Sequence, residues 1–454
     1  MLLRNRLQFT PSRSPFVNPG TQARPNDNRS YRELKARVHH LLLDRIDLKA
    51  MDALGADQLR DQLSSMVEEL LQEENVVLND SERRNIVRDI QFEMLGLGPL
   101  ELLMEDREIS DILVNTWKQI YVERRGMLEL TDVQFNDDAH LMTIIEKIVS
   151  RVGRRIDESS PMVDARLKDG SRVNVIVPPL AIDGPIMSIR RFSVQPLTIE
   201  DFVEFQSLTR PMAEVLKGLA SSKLNILISG GTGSGKTTML NILSGFISPN
   251  ERVVTIEDAA ELQLQQPHVV RLESRPSNIE GKGEITQRAL LTNALRMRPD
   301  RIILGEVRGA ESVDMLQAMN SGHEGSLATI HANTPRDAIT RLENMIGMAG
   351  LNFPAKIARH QISSAISVVL QISRLSDGKR RLVSLQEITG MEGEVVTMQE
   401  IFAFRQTGTD KDGRVRGYFC ATGVRPKFME RLVKHGVVLA ESLFDPAQRF
   451  EVGQ

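Results

Sequence analysis

The apolar positions change period along the chain. Leu34, Val38, Leu41, Leu42 and Ile46 recur at spacings of three and four, which predicts a helix from Tyr31 onward. A second helix is predicted over about 57–75. Asn79 with Glu82 three residues on forms a helix-start pair, and Ile86, Val87 and Ile90 then share one face. From 110 to 135 the runs shorten: ILVN, QIYVERRG and MLELTDVQF read as strands, with Gly126 at a turn. An amphipathic helix is predicted over 138–152. DARLK and SRVNVIV flank Asp169-Gly170, a two-residue hairpin turn, and IMSIRRF reads as a further strand. In PLTIEDF, Thr198 caps a helix with Asp201 three residues on. From about 205 strands and helices alternate, which predicts a parallel sheet with helices on its faces.

These changes divide the chain into a disordered basic tail over 1–30, a helical module over 31–78, an α+β domain over 79–197 and an α/β domain over 205–440. The tail is rich in Pro, Ser, Asn, Gln and Arg; it is either a solvated leader or a segment that touches an acidic membrane surface. The helical module either packs on its own chain or docks on a partner.

Composition narrows the class. With 41% hydrophobic and 26% charged residues, the 454-residue chain reads as a soluble globular protein of two or three domains. It has no apolar run of membrane-spanning length, and its first residues, MLLRNRLQFTPSRSPF, lack the apolar segment of a secretory signal. A single cysteine, Cys420, excludes an intramolecular disulfide and a cysteine-built zinc site, and fits a reducing cytoplasm. A net charge of −3 and 4% aromatics argue against a dedicated nucleic-acid-coating surface, so no stable nucleic-acid partner is expected.

The chemistry centres on LNILISGGTGSGKTTMLNIL. Gly230, Gly231, Thr232, Gly233, Ser234, Gly235, Lys236, Thr237 and Thr238 form a glycine-rich loop between an apolar strand and a helix. Glycines let backbone N–H groups curl around a phosphate, and the helix N-terminus adds partial positive charge. Lys236 is expected to reach the β- and γ-phosphates of ATP, and the Thr237 hydroxyl to ligate Mg²⁺. Two further strands end in acids: ERVVTIEDAAEL in Glu257, Asp258 and Glu261, and DRIILGEVRG in Glu306. Ligands of open α/β sheets sit outside the carboxyl ends of the strands, so these carboxylates are expected at the phosphates. Glu257 is the candidate to orient and activate water, and Glu306 the candidate near Mg²⁺. Asp258 and Glu261 either join this set or cap a following helix.

GHEGSLATIHANT places two of the chain's eight histidines around one short strand, SLATI. One helix, SVDMLQAMN, separates it from the GEVRG strand, so SLATI is the next strand of the same sheet. His331 then lies at its carboxyl end, facing the γ-phosphate, where an imidazole hydrogen bond to phosphate or to the attacking water would distinguish ATP from ADP. His323 lies before the strand, at the opposite end of the sheet or in the loop leading in.

Taken together, SGGTGSGKTT, TIEDAAEL, LRMRPDRIILGEVRG and GHEGSLATIHANT resemble the type II/type IV secretion ATPase superfamily, with its P-loop, acidic box, Walker B strand ending in Gly-Glu, and histidine box. GLGPLELLMEDREISDILVN, YVERRG, VGRRIDESSPMVDARLKDGSRVNVIVPPL and SIRRF are similar to its tight-adherence (Tad/Flp) pilus branch, the CpaF-like proteins. The resemblance implies a RecA-like P-loop ATPase domain preceded by a smaller α+β N-terminal domain and N-terminal helices. It implies a cytoplasmic homo-hexamer, peripheral to the inner membrane through platform proteins. By the same resemblance, Lys236 and Thr237 are the Walker A pair, Glu257 the catalytic glutamate and Glu306 the Walker B acid. Arg166, Arg172, Arg190 and Arg191 match the arginines that the family's N-terminal domain brings to the nucleotide. The lone cysteine departs from pilus relatives that carry a four-cysteine zinc module. A conjugation-type DNA-transfer ATPase is the competing reading.

Overall fold

The computed structural model describes residues 31–453, apart from 32–33, 36, 43–44, 46–54, 75–77, 125, 192–196, 276, 278–281 and 351–353. The expected tail over 1–30 lies outside the described residues. The chain divides into two compact units: Met1–Tyr121, Leu130–Ala165 and Asn174–Ser188 in the first, and Val122–Glu129, Arg166–Val173 and Ile189–Gln454 in the second.

In the first unit, Leu34, Val38 and Leu42 pack with Leu63, Val67, Leu70 and Leu71 of the helix Ala56–Glu73 and with Ile86 and Ile90 of the helix Asp80–Leu95. The pattern of three and four is what buries one stripe of each helix. Asn79 and Glu82 form the expected reciprocal cap, with both bonds at 2.9 Å. At the other end of that helix, Lys147 Nζ donates to the carbonyls of Glu93, Met94 and Gly96, each at 2.8 Å, satisfying groups that a helix end leaves open. Glu93 accepts from Lys35 Nζ at 2.9 Å and lies 2.8 Å from His140 Nε2. Burial pulls its carboxyl upward, but the His140 bond and the Lys35 charge outweigh this and hold it down at about 2.

The first six strands in chain order are β1 (Ile109–Thr116), β2 (Gln119–Arg124), β3 (Met127–Leu130), β4 (Met162–Arg166), β5 (Arg172–Ile176) and β6 (Ile186–Arg190). They form a six-stranded sheet in the order β3-β2-β1-β6-β5-β4. The third predicted strand is shorter than read, because TDVQF leaves the ladder after Leu130. Gly126 (φ +84°) and Gly170 (φ +92°) supply the left-handed turns.

The second unit continues with β7 (Ile226–Gly230), β8 (Val253–Glu257), β9 (Val269–Glu273), β10 (Arg301–Val307), β11 (Leu327–His331), β12 (Val368–Arg374), β13 (Arg380–Glu392), β14 (Val395–Thr409), β15 (Val415–Ala421) and β16 (Arg449–Val452). Their order in one sheet is β16-β15-β14-β13-β12-β7-β11-β10-β8-β9. From β12 to β9 the neighbours are parallel, as expected for alternating strands and helices. From β12 to β16 they are antiparallel, so the sheet is mixed and runs past the expected end at 440. Both faces of the parallel part are covered: Ile226 and Ile228 enter one apolar core and Leu227 the other. That double cover brings the strand ends, and the polar residues they carry, to one edge.

Candidate active site

β7 is buried throughout, and the chain turns from Gly230 into the helix Lys236–Ser244. Gly233 (φ +67°) and Gly235 (φ +100°) occupy the left-handed region that a side chain would strain. Gly235 caps the helix without a side-chain acceptor, so the first-turn N–H groups face the loop. Such a helix start, with its dipole, favours an anion. Lys236 Nζ donates to the carbonyls of Gly230 (3.0 Å) and Gly231 (2.9 Å), curling its ammonium over the loop. Burial lowers its pKa from the ordinary lysine value, and the charge of Glu306 opposes that.

β11 lies beside β7, with His331 opposite Gly230 in register, so the residue stands beside the start of the loop. Gln371, buried on β12, donates to the carbonyls of Ala332 (3.2 Å) and Asn333 (3.0 Å) and holds the backbone beyond His331. His323 sits before β11, at the sheet's opposite end. There, Asn225 Oδ1 accepts from the N–H groups of Gly325 (2.8 Å) and Ser326 (3.1 Å), which explains GHEGS as a stitched turn.

β8 ends in Glu257, whose side chain is 3% exposed. Its Oε2 accepts from the N–H groups of Glu261 (2.7 Å) and Leu262 (2.9 Å), while Oε1 has no protein partner among the described residues. Burial raises its pKa to about 6, against the lowering effect of the two N–H bonds. A carboxyl poised there can accept a proton from water near neutral pH. On β10 the register with β11 shifts between Leu304 and Val307, a bulge that turns Glu306 out of the regular alternation. Thr329 Oγ1 donates to the Gly305 carbonyl at 2.5 Å within it. Arg308, absent from the expected set, donates to Glu306 at 2.6 Å and lies 3.3 Å from Asp258.

No helix follows β8 directly, so the capping alternative for Asp258 and Glu261 does not hold. Asp258 instead accepts from Ser274 Oγ at 3.0 Å, and Glu261 from Arg172 Nη1 at 2.5 Å. Arg166 bonds Glu273 (2.9 Å) and the Ala260 carbonyl (2.9 Å), beside the same loop. Arg190 ends β6 and is exposed, and Arg191 follows it half-buried. The sequence reading also missed Arg380, whose Nε donates to the Gly233 carbonyl at 2.8 Å. It arrives on β13, and no local motif marks it. Among the described residues there is no group of three or more His, Cys, Asp or Glu side chains arranged to hold a metal ion.

A glycine-rich loop between a buried strand and a helix, with acids on neighbouring strand ends, defines the P-loop nucleotide-binding class. The chain belongs to the family described as type II/IV secretion system protein, which matches residues 93–425. It is thus a secretion ATPase by family. Residues 31–95 match the N-terminal domain of type II secretion system protein E. Among curated relatives, the putative conjugal transfer protein Rv3659c of Mycobacterium tuberculosis is 36% identical, over 70% of this chain and 92% of its own. The conjugal transfer protein TrbB of Rhizobium radiobacter is 30% identical over 68% and 91%. Among solved structures, the VirB11 ATPase of the Brucella suis type IV secretion system is 28% identical, with a TM-score of 0.35, over 64% of this chain and 95% of that one.

Proposed function

We propose that this chain hydrolyses ATP and uses the energy to drive a membrane-bound secretion machine that assembles or moves Flp-type pilin subunits. Lys236 binds the β- and γ-phosphates, and the loop from Gly230 to Thr238 cradles them. Thr237 and Glu306 would hold Mg²⁺; the donor set, one hydroxyl and one half-buried carboxylate, fits a hard cation that keeps most of its water. When bound, Mg²⁺ neutralises charge on the phosphates. Glu257 orients the attacking water and takes its proton, and His331 hydrogen-bonds the γ-phosphate. Arg166, Arg172, Arg190 and Arg191 supply positive charge to the transferring group. The observation that carries this chemistry is the buried Glu257 carboxyl, with one oxygen fixed by two N–H groups and the other without a protein partner.

The pilus reading rests on the resemblance of YVERRG, VGRRIDESSPMVDARLKDGSRVNVIVPPL and SIRRF to the Tad/Flp branch. The names of the conjugal transfer relatives favour a second reading, a DNA-transfer ATPase, about equally. In either reading the protein works as a cytoplasmic homo-hexamer held at the inner membrane by platform proteins. No helix among the described residues is long and apolar enough to cross a membrane. The test is a pull-down of the Glu257→Gln protein with ATP from solubilised cells. Enrichment of polytopic membrane proteins encoded beside pilins supports the pilus motor. Enrichment of DNA and its processing proteins, without those membrane proteins, replaces it with the second reading.

A further inference from the structure

Arg374 and Arg380 face each other across the β12–β13 pair, directly opposite in register. Like charges so placed are destabilising unless something compensates them. Glu123 lies 3.6 Å from each, its two oxygens divided between the two guanidinium groups. Together, these three side chains carry one net positive charge. That charge stands at the P-loop: Arg380 Nε donates to the Gly233 carbonyl at 2.8 Å. A Cβ on Gly233 would stand 3.6 Å from Arg374 Nη1, and one on Gly235 3.3 Å from Arg380 Cδ. Both arginines are therefore packed against the loop's two left-handed glycines.

A glycine-rich loop is the part of the chain with most backbone freedom to lose on binding. A charge-assisted bond to its apex restricts it before the ligand arrives, and a nearby guanidinium favours a polyphosphate. We propose that Arg380 is a positioning residue that fixes the P-loop for ATP, and that Arg374 adds to the loop's attraction for the triphosphate. This rests on the ATPase reading above.

The experiment compares Arg380→Ala, Arg380→Lys and Arg374→Gln with the unaltered full chain, measuring steady-state ATP hydrolysis and the Kd of a fluorescent ATP analogue. Arg380→Ala is expected to raise KM and Kd about tenfold, the scale of one charge-assisted hydrogen bond, with kcat changed less than threefold. Arg380→Lys, which keeps the charge and a donor, is expected to recover most of the loss. Arg374→Gln is expected to raise Kd by a smaller factor, and it carries the test if Arg380→Ala does not fold. KM and Kd within twofold of the unaltered protein, or a fall in kcat at constant KM, overturns the proposal. Lys236→Ala separates the two levels. If it abolishes binding and turnover while the arginine variants are silent, only the positioning role falls. If it too is silent, the P-loop reading falls with it.

Discussion

Gly305 lies against Glu257: a Cβ at position 305 would stand 2.8 Å from Cγ of Glu257 and 3.4 Å from its Cβ. The Gly-Glu pair on β10 thus leaves room on the neighbouring strand for the carboxylate proposed to activate water. Gly305→Ala should force Glu257 aside and strain two buried strands, at about 1–3 kcal/mol for overpacking. Chemical denaturation should show that loss. ATP turnover should fall at least tenfold while nucleotide affinity changes little. An alanine variant with unaltered turnover would show that Glu257 does not need this position.

The raised pKa of Glu257 sets a pH dependence. Its proposed role requires the ionised form, so kcat/KM should fall about tenfold per pH unit below about 6. The stability effect has the opposite sense. The folded pKa lies above the ordinary 4.5, so the folded state holds the proton more tightly. That contribution, about 2 kcal/mol, is fully present below about 4.5 and lost as the pH rises through about 6. Glu257→Gln should therefore gain stability relative to the unaltered protein on going from pH 4.5 to pH 8, read from paired thermal melts.

Arg172 reaches Glu261 on the loop that Glu257 organises, and its side chain is 41% exposed. An ion pair that open contributes under about 1 kcal/mol, so Arg172→Ala should barely move the unfolding midpoint. Turnover should nonetheless fall tenfold or more, with ATP affinity within about threefold, because the proposed target of its charge is the transferring phosphoryl group. Unaltered turnover would leave Arg172 a structural residue of the loop.

Glu93 offers a test far from the chemistry. Its carboxyl is held at about 2, so it contributes about 3 kcal/mol above pH 4.5, lost as the pH falls through about 2. Glu93→Gln should lower stability by about that amount at pH 7, in urea denaturation followed by circular dichroism. A loss under about 1 kcal/mol would mean that Lys35 and His140 do not hold the ionised form.

The features legible in the sequence are those fixed by local geometry. The loop from Gly230 to Lys236 needs glycines at particular left-handed positions, and the Asn79–Glu82 and Thr198–Asp201 caps need particular side chains three residues apart. The end of the sheet that His331 occupies is legible because strand order alone decides it. What escaped depends on distant pairing. β13 carries apolar residues in an irregular pattern because its register with β14 shifts at Leu385–Gln386 and again at Ile388–Gly390, so it does not read as a simple alternation. Arg380 reaches Gly233 only because β13 returns beside β12, and Arg308 meets Glu306 and Asp258 only because β8 and β10 are neighbours. The capping alternative for Asp258 and Glu261 falls for a related reason. The Glu257 carboxylate itself accepts the N–H groups of Glu261 and Leu262, in a segment that forms no helix.

The most direct measurement is ATP binding and hydrolysis by the Glu257→Gln protein beside the unaltered one. The substitution keeps an oxygen for the Glu261 and Leu262 N–H groups and removes only the basic carboxylate. The account predicts ATP affinity within about threefold of the unaltered protein and hydrolysis slower by a factor on the order of 100 or more. Hydrolysis at the unaltered rate would contradict it.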